Sequence, residues 1–251
     1  MFKNILKGLQ AYSGGFALIS KLKLWRYFAI PILISIIVFL VIISAAYGWS
    51  DNLGEWIANA WVWEWGKSAF TTIGTIIGGL VIIVIGLILF KHIIMALSAP
   101  FMSPVSEKIE AYITKSETVT SRNTTFMSQL WRGIKINGRN LIMELVLTIP
   151  ILLLKFIPIV NIFSTVLLFM VQAYYAGFGN LDYTLERHFS YRDSIAFVKK
   201  HRGLSIGNGI GFLLLLLIPI VGVILVLPLS VTAASVSTVK TLNPEHKELQ
   251  S

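Results

Sequence analysis

The chain has 251 residues, of which 55% are hydrophobic and only 13% are charged. Several apolar runs reach about 17 residues or more, which excludes an ordinary soluble domain because a soluble core cannot bury so much contiguous apolar surface. The sequence therefore predicts an all-α integral membrane protein with a single membrane domain, residues 1–251. The chain contains no cysteine, which also excludes disulfides, thiol catalysis and cysteine-ligated metal sites.

The net charge of +9 is explained by where the basic residues lie. Of 21 lysines and arginines, 19 fall in the four segments 1–27, 91–140, 180–205 and 240–251. Segments on the cytoplasmic side of a membrane carry an excess of lysine and arginine. If these four segments share that side, both termini are cytoplasmic, residues 50–68 form the outer loop, and no nucleic acid is needed as a partner.

The first segment, residues 1–27, is expected to lie at the membrane surface. Its apolar residues recur at helical spacing, with Lys3 and Lys7 between them: Phe2, Ile5, Leu6, Leu9 and Tyr12. This pattern predicts an amphipathic helix on the inner leaflet that ends at Gly14 and Gly15. A short second helical stretch then leads into the membrane.

Two full transmembrane helices follow, over residues 28–49 and 69–97. The second is rich in glycine at spacings of four, which permits close contact with a neighbouring helix in the chain or in an oligomer. Lys91 and His92 mark its inner boundary. A lone histidine at this position is typical of a membrane interface.

The remaining polar segments are predicted to be cytoplasmic. Residues 101–140 contain amphipathic helices, one of which begins at Ser103 with Pro104 at its first position. Residues 180–205 contain a further helix whose start is marked by Ser190. Residues 240–251 form a polar tail.

Two apolar segments, residues 141–179 and 206–239, are each interrupted by the string Ile-Pro-Ile-Val. Proline lacks an N–H group, and Asn161 and Gly222, which follow the two strings, suit a tight reversal. The arm before each break has about 12 to 17 residues, or about 18 to 25 Å, which is short of the ~30 Å hydrocarbon core. The pattern predicts two partly penetrating helical hairpins; the alternative is two spanning pairs with tight outer turns.

Two charged residues lie within the first hairpin, Glu144 in its leading arm and Lys155 near its tip. A charge in lipid costs roughly 2.5 to 3.5 kcal/mol or more, so each needs a partner, a water-filled lining or a route to the surface. Glu144 can snorkel or pair with Arg139, whereas Lys155 either reaches the outer surface or lines a polar vestibule. Both are candidates for residues of a transport pathway.

Three strings, together with the order of the elements, carry a resemblance that covers about residues 5 to 240. The strings are residues 15–31, Ala99-Pro100-Phe101 with Glu107 and Glu110, and the block from Gln172 through Asp182 and Tyr183 to Pro219. In these features the chain resembles the CysZ family of bacterial sulfate permeases, within the etoposide-induced membrane-protein superfamily. The resemblance implies two long transmembrane helices, two partly penetrating hairpins, a homo-oligomer in the bacterial inner membrane, and sulfate entry that supplies cysteine synthesis.

The resemblance also implies an anion-binding turn just before the first membrane helix. Where the family has a Gly-Leu-Arg-like turn, this chain has Lys23, Leu24, Trp25 and Arg26. On this resemblance we expect sulfate or a related oxyanion to bind Arg26, with Lys23 in support and with backbone N–H groups near Leu24 and Trp25 as further donors; the alternative from the residues alone is that Arg26 anchors the chain to lipid phosphate. The chain departs from the family here, because the glycine and one of the paired arginines are missing.

Two other functions are considered: a non-transporting membrane scaffold of the same fold, and an enzyme. An enzyme is the weakest hypothesis, since the sequence contains neither a nucleophile elbow nor a phosphate-cradling loop. No metal or other cofactor is expected, because the histidines show no metal-ligand spacing: His92, His188, His201 and His246.

The driving force for uptake is left open by the sequence. A dianion that enters a cell at about −100 mV meets about 4.6 kcal/mol of opposing electrical work. Uptake therefore needs rapid consumption inside, a high outside concentration or coupling to cations. Glu144 is the membrane-embedded carboxylate available for coupling to protons.

Overall fold

The computed structural model describes residues 2–59, 67–116, 125–154, 157, 160–218 and 220–243, and within these ranges it contains nine helices and no strand. The helices are α1 (Phe2–Gln10), α2 (Gly15–Lys21), α3 (Trp25–Ala58), α4 (Lys67–Thr114), α5 (Phe126–Leu154), α6 (Asn161–His188), α7 (Tyr191–Lys200), α8 (Arg202–Leu216) and α9 (Val221–Leu242). Five of them, α3 to α6 and α9, are long and apolar enough to cross a membrane. The predicted all-α membrane fold is confirmed.

The chain divides into two compact units. The larger unit comprises Met1–Ile34 and His92–Ser251, and α6 is central to it because α5, α7, α8 and α9 all pack against α6. Its core is a cluster of buried apolar residues: Ile136, Phe178, Leu181, Leu185, Val198, Leu204 and Ala234. Helix α1 also belongs to this unit and packs on α8.

The second unit, Ser35–Lys91, contains the apolar parts of α3 and α4. Small residues bring the two helices close together, as the glycine spacing predicts. A Cβ atom on Gly54 would lie 2.5 Å from Cα of Thr75, and one on Gly86 would collide with the side chain of Ile42. Larger side chains at these two glycines would force the helices apart.

Helix α4 differs from the prediction, because it continues without a break through Pro100 and Pro104 to Thr114. The separate helix predicted to begin at Ser103 is therefore wrong. A proline inside a helix costs ~3 kcal/mol or more because it removes a hydrogen bond and crowds the preceding turn. Burial of this part of α4 favours the continuous helix, since three apolar side chains beside the prolines are 0% exposed: Met102, Val105 and Ile109.

Helix breaks occur where the two Ile-Pro-Ile-Val strings lie. Helix α5 ends at Leu154 and α6 begins at Asn161, while α8 ends at Leu216 and α9 begins at Val221. Pro158 and Pro219 themselves lie outside the described residues. The helices of the second pair are antiparallel, since the side-chain amide of Asn208 donates to the carbonyl oxygen of Ser230 at 3.0 Å while Gly222 lies beside Leu215.

The arms of these hairpins differ in length from one another. Helix α8 has 15 residues, within the predicted range, but α5 has 29. Helix α5 is longer because it also includes the polar residues 126–140, whereas its apolar part, residues 141–154, agrees with the predicted length of the arm. How deeply each hairpin enters the bilayer stays a prediction.

The turn between α8 and α9 differs from the prediction in which residue adopts the left-handed conformation. Ile220, rather than the glycine, has a positive φ angle, 64°. Gly222 lies inside α9, where a Cβ atom would collide with the carbonyl oxygen of Leu215. The glycine is therefore needed for the close approach of α8 and α9 at the turn, and not for a left-handed conformation.

Candidate anion-binding turn and buried ion pairs

The turn between α2 and α3 holds the four residues predicted to bind an anion. Lys23 has a left-handed φ angle of 51°. Its N–H group donates to the carbonyl oxygen of Ser20 at 3.1 Å, and the N–H group of Leu24 donates to that of Ile19 at 2.9 Å. This pair of bonds is the Schellman motif, in which glycine usually occupies the left-handed position. Lys23 thus takes the conformation of the glycine that the sequence lacks.

Leu24 and Trp25 fix this turn to the protein. Leu24 is 0% exposed, and the indole of Trp25 contacts the ring of Phe16 edge-on, with ring centroids 5.4 Å apart. The indole Nε1–H also donates to the hydroxyl of Ser20 at 3.3 Å. The N–H group of Leu24 is occupied by Ile19, so the backbone donors that remain at this turn are those of the first residues of α3, Trp25 and Arg26.

The charged side chains at the turn point outward. Lys23 and Arg26 are both exposed. Arg26 donates from Nη2 to the hydroxyl of Tyr27 at 3.1 Å, and its guanidinium lies 4.9 Å from the centroid of the Tyr27 ring. Contact with the aromatic ring restricts the arginine side chain to one region of the surface while its other N–H groups remain available.

Helix α4 adds residues to this region that the sequence analysis missed. Nζ of Lys108 lies 5.8 Å from the centroid of the Tyr27 ring, and Nζ of Lys21 donates to the hydroxyl of Tyr112 at 2.8 Å. Lys108 and Tyr112 are one helical turn apart on α4. Nothing in their sequence neighbourhood, which also contains Glu107, distinguishes them from an ordinary solvated helix face.

A buried ion pair joins two of the strings that carry the family resemblance. Nη2 of Arg187 lies 2.8 Å from Oε2 of Glu110, and Nε2 of His188 lies 2.8 Å from Oε1 of the same carboxylate. Arg187 also donates to the hydroxyl of Ser106 at 2.9 Å and to the carbonyl oxygen of Ser103 at 3.2 Å. These bonds fasten the end of α6 to the last turns of α4.

A second ion pair connects α5 to α6. Arg132 forms a two-pronged contact with Asp182, from Nε at 3.0 Å and from Nη2 at 2.9 Å. The same guanidinium donates to the carbonyl oxygen of Phe189 at 3.0 Å and to the hydroxyl of Ser194 at 2.8 Å. Arg132 of α5 therefore binds α6, the residue that follows it and α7. Its positive charge is balanced by Asp182 within the fold.

Glu144, one of the two candidate pathway residues, is almost completely buried and lies beside His92. Nε2 of His92 is 3.0 Å from Oε2 of Glu144, and the two side chains are 3% and 2% exposed. His92 is thus buried against Glu144 of α5, and its position at a membrane interface stays a prediction. Arg139 instead contacts Asn140 at 3.1 Å. Lys155, the other candidate, lies outside the described residues.

The described ranges contain no group of three or more histidine, cysteine, aspartate or glutamate side chains that could hold a metal ion. Their buried polar side chains include ion pairs between helices, such as Arg187 with Glu110, together with many serine, threonine and asparagine side chains. Together with five apolar helices of spanning length and an exposed basic turn, these features define a multi-pass, all-α membrane protein.

Comparison with known proteins identifies the family. Residues 11–227 match the sequence profile of the family described as Sulfate transporter CysZ/Etoposide-induced protein 2.4. The chain is 24% identical over 245 residues to the sulfate transporter CysZ of Pseudomonas aeruginosa strain LESB58, covering 94% of this chain and 95% of the relative. It is also 24% identical over 251 residues to the sulfate transporter CysZ of Pseudomonas fluorescens strain Pf0-1, with 96% of each chain covered. The chain belongs to this family, and the resemblance predicted from sequence is confirmed.

Proposed function

We propose that this protein is a permease that carries sulfate, or a closely related oxyanion, across the bacterial inner membrane to supply sulfur assimilation. Membership of a family described as sulfate transporters, over residues 11–227, supports the proposal. The structural observation that carries it is the rigid, exposed basic turn from Lys23 to Arg26. We assign no catalytic role to the protein.

Arg26 is the main anion ligand in this proposal. Sulfate remains doubly charged at every physiological pH, so it requires fixed donors. A guanidinium offers a planar fork that matches two oxyanion oxygens, whereas an ammonium offers a point charge. The exposed ammonium group of Lys23, three residues before Arg26, contributes a second positive charge.

The start of α3 supplies the backbone part of the site. The first N–H groups of a helix have no partner within the helix, and the helix dipole favours an anion there. Because the N–H of Leu24 bonds to Ile19, the available donors are those of Trp25 and Arg26. Leu24 and Trp25 thus serve chiefly to hold the turn in place through their side chains.

Lys108 and Lys21 surround the same region from α4 and α2. Both ammonium groups lie close to tyrosine rings near the turn, at Tyr27 and Tyr112. Several cations around a cleft raise the local concentration of an anion even when they do not touch it. We propose that these lysines attract sulfate toward Arg26.

Glu144 and Lys155 are proposed to belong to the transport pathway. The buried pairing of Glu144 with His92 supports a polar route through this part of the larger unit. A buried charge in an apolar segment is costly unless it is paired or hydrated, and such residues commonly mark ion pathways. Lys155 is included in this proposal because of its position in the sequence, near the tip of the first hairpin.

The orientation and assembly of the protein are also proposed. The distribution of basic residues supports cytoplasmic termini, because the segments that carry 19 of the 21 basic residues would all face the cytoplasm. The exposed apolar surface of α3 and α4, which includes Leu40, Val41 and Leu80, fits contact with lipid or with further copies in a homo-oligomer.

Flux of labelled sulfate into proteoliposomes tests the function. We expect the purified protein to raise sulfate entry well above that of protein-free liposomes, and unlabelled sulfate to compete better than chloride. Phosphate and sulfite measure the selectivity among oxyanions. Flux equal to that of protein-free liposomes, in vesicles shown to contain folded protein, would contradict the proposal and favour a membrane scaffold.

A further inference from the structure

A cavity in the larger unit lies apart from the residues of the anion-binding turn and has no role in the proposed function. Its volume is about 530 Å³, and it lies between α1, the start of α8 and the last turns of α9. Small-molecule sites typically occupy about 300 to 1,000 Å³, whereas a single tetrahedral oxyanion needs far less. The cavity thus has the size expected for an organic ligand.

The wall of the cavity formed by α1 is held firmly against α8. A Cβ atom on Gly8 would lie 2.8 Å from the backbone N of Asn208, so only glycine permits this approach. The hydroxyl of Tyr12 donates to the carbonyl oxygen of Asn208 at 2.7 Å. Burial raises the pKa of this hydroxyl, which therefore remains a donor at physiological pH. The cavity is consequently part of the packed fold.

The charge of the cavity is positive. Among the described residues that line it, Lys7, His201 and Lys240 are basic and none is acidic. Nδ1 of His201 lies 2.9 Å from the carbonyl oxygen of Phe197 and donates to it, which leaves Nε2 as the ring nitrogen available to a ligand.

The remaining lining suits the body of an organic molecule. The side-chain amides of Asn4 and Gln10 can both donate and accept hydrogen bonds, and Leu204 provides an apolar wall. Lysines bind phosphate groups as point charges. Cations, amides and an apolar surface around one open cavity together match a phosphate group attached to a nucleoside-like body.

The geometry of α1 indicates that the ligand comes from water. Asn4, Lys7 and Ala11 face the cavity, whereas Phe2 and Leu6 are exposed on roughly the opposite side of the helix at 3.6 residues per turn. An amphipathic helix rests on a bilayer with its apolar side toward lipid. The cavity therefore opens to the aqueous side of α1, away from acyl chains.

We infer that the cavity between α1, α8 and α9 binds a water-soluble organic phosphate of nucleotide size. The inference rests on the cavity itself and not on sulfate transport. A ligand here would contact α1, α8 and α9 at once, and would therefore stabilise their mutual packing.

The test is calorimetric titration of the purified full-length protein, in an uncharged detergent at fixed ionic strength, with ATP, adenosine and inorganic phosphate. We expect ATP to bind. Adenosine and inorganic phosphate should each bind at least about tenfold more weakly, because adenosine lacks the contacts with the lysines and phosphate lacks those with the amides and the apolar wall. The double variant Lys7→Gln/Lys240→Gln should weaken ATP binding about tenfold or more, because both removed charges line the cavity. Lys7→Arg/Lys240→Arg should retain binding.

The matched control is Lys3→Gln/Lys200→Gln, which removes the same charge from two exposed residues that do not line the cavity. This control should bind ATP as the unaltered protein does. Equal weakening in the control, phosphate binding as tight as ATP binding, or no heat of ATP binding to the unaltered protein would each overturn the inference. Sulfate flux measured on the same preparations reports separately on the proposed function.

Discussion

Arg187 on α6 donates from Nη2 to Oε2 of Glu110 on α4 at 2.8 Å, and these side chains are only 1% and 4% exposed. The two residues belong to separate strings of the sequence, 77 positions apart. Their pairing explains why an arginine and a glutamate can be enclosed among apolar helices. Each compensates for the charge of the other, and Ser106 and His188 satisfy further atoms of the pair.

Removing one partner of this pair should destabilise the protein strongly. Arg187→Met leaves Glu110 buried without its main partner, for which we expect a loss of about 3 to 5 kcal/mol and a melting temperature lower by about 6 °C or more. Thermal unfolding in detergent measures this. The double variant Glu110→Leu/Arg187→Met should lose less than Arg187→Met alone, and Arg192→Met, at an exposed residue of α7, should change little. A double variant that melts below Arg187→Met would show that the pair is not the cause.

Glycine substitutions on α5 and α6 should have effects of opposite sign. A Cβ atom on Gly177 of α6 would collide with the carbonyl oxygen of Ser205 on α8, whereas one on Gly138 of α5 would meet no atom within 4 Å. Gly177→Ala should therefore cost about 1 to 3 kcal/mol. Gly138→Ala should stabilise the helix by up to about 1 kcal/mol, because alanine is the better helix former. Thermal melts of the two variants make the comparison, and equal shifts would refute the close packing of α6 on α8.

The substitution Lys23→Gly keeps the backbone conformation of the anion-binding turn but removes the positive charge of the lysine. Lys23 has a φ angle of 51°, and glycine relieves a cost of about 1 to 2 kcal/mol in this conformation. We expect a higher melting temperature together with weaker sulfate binding. Lys115, with a φ angle of 53°, provides the matched control, since Lys115→Gly should stabilise similarly and leave sulfate binding unchanged. Unchanged sulfate affinity in Lys23→Gly would remove Lys23 from the proposed site.

Arg26→Lys tests whether the shape of the guanidinium matters beyond its charge. If the planar fork binds sulfate, this substitution should already weaken sulfate affinity by about tenfold, the order expected for one charge-assisted hydrogen bond of roughly 1.5 kcal/mol. Arg26→Ala should be at least as weak. Arg192→Ala is the control, at matched protein amounts, because Arg192 is exposed on another helix. Unchanged sulfate affinity in Arg26→Lys would show that the planar shape of the guanidinium is not needed. A loss of affinity in Arg192→Ala as large as that in Arg26→Ala would show that the effect is not specific to Arg26.

Single cysteines test the proposed orientation, and they are informative because the chain has no cysteine of its own. We place one at Asn59, after α3, and another at Arg192, on α7. The distribution of basic residues predicts that an impermeant thiol reagent labels Asn59→Cys but not Arg192→Cys in intact cells. Both should react after lysis. Labelling of Arg192→Cys alone would reverse the orientation, and labelling of both would indicate that the chain inserts both ways.

The fold class and the order of the elements can be predicted from the residues alone. Long apolar runs require a membrane, and the Ile-Pro-Ile-Val strings coincide with the two helix breaks because proline cannot donate a hydrogen bond in a helix. The sequence predicts a helix start at Ser190, and its hydroxyl accepts a hydrogen bond from the N–H of Asp193 at 3.3 Å. The position of the turn from Lys23 to Arg26 also follows from its residues and from the family resemblance.

The pairing of the buried ionisable side chains follows from packing between distant parts of the chain. Glu110 with Arg187, Arg132 with Asp182, and His92 with Glu144 are each about 50 or more residues apart, so no local pattern could pair them. Packing also decided that α4 continues through Pro100 and Pro104, against the local preference of proline. The physical reason is the same in both cases. Burial makes an unpaired charge or an exposed apolar face more costly than a local irregularity, and burial depends on neighbours that are distant in sequence.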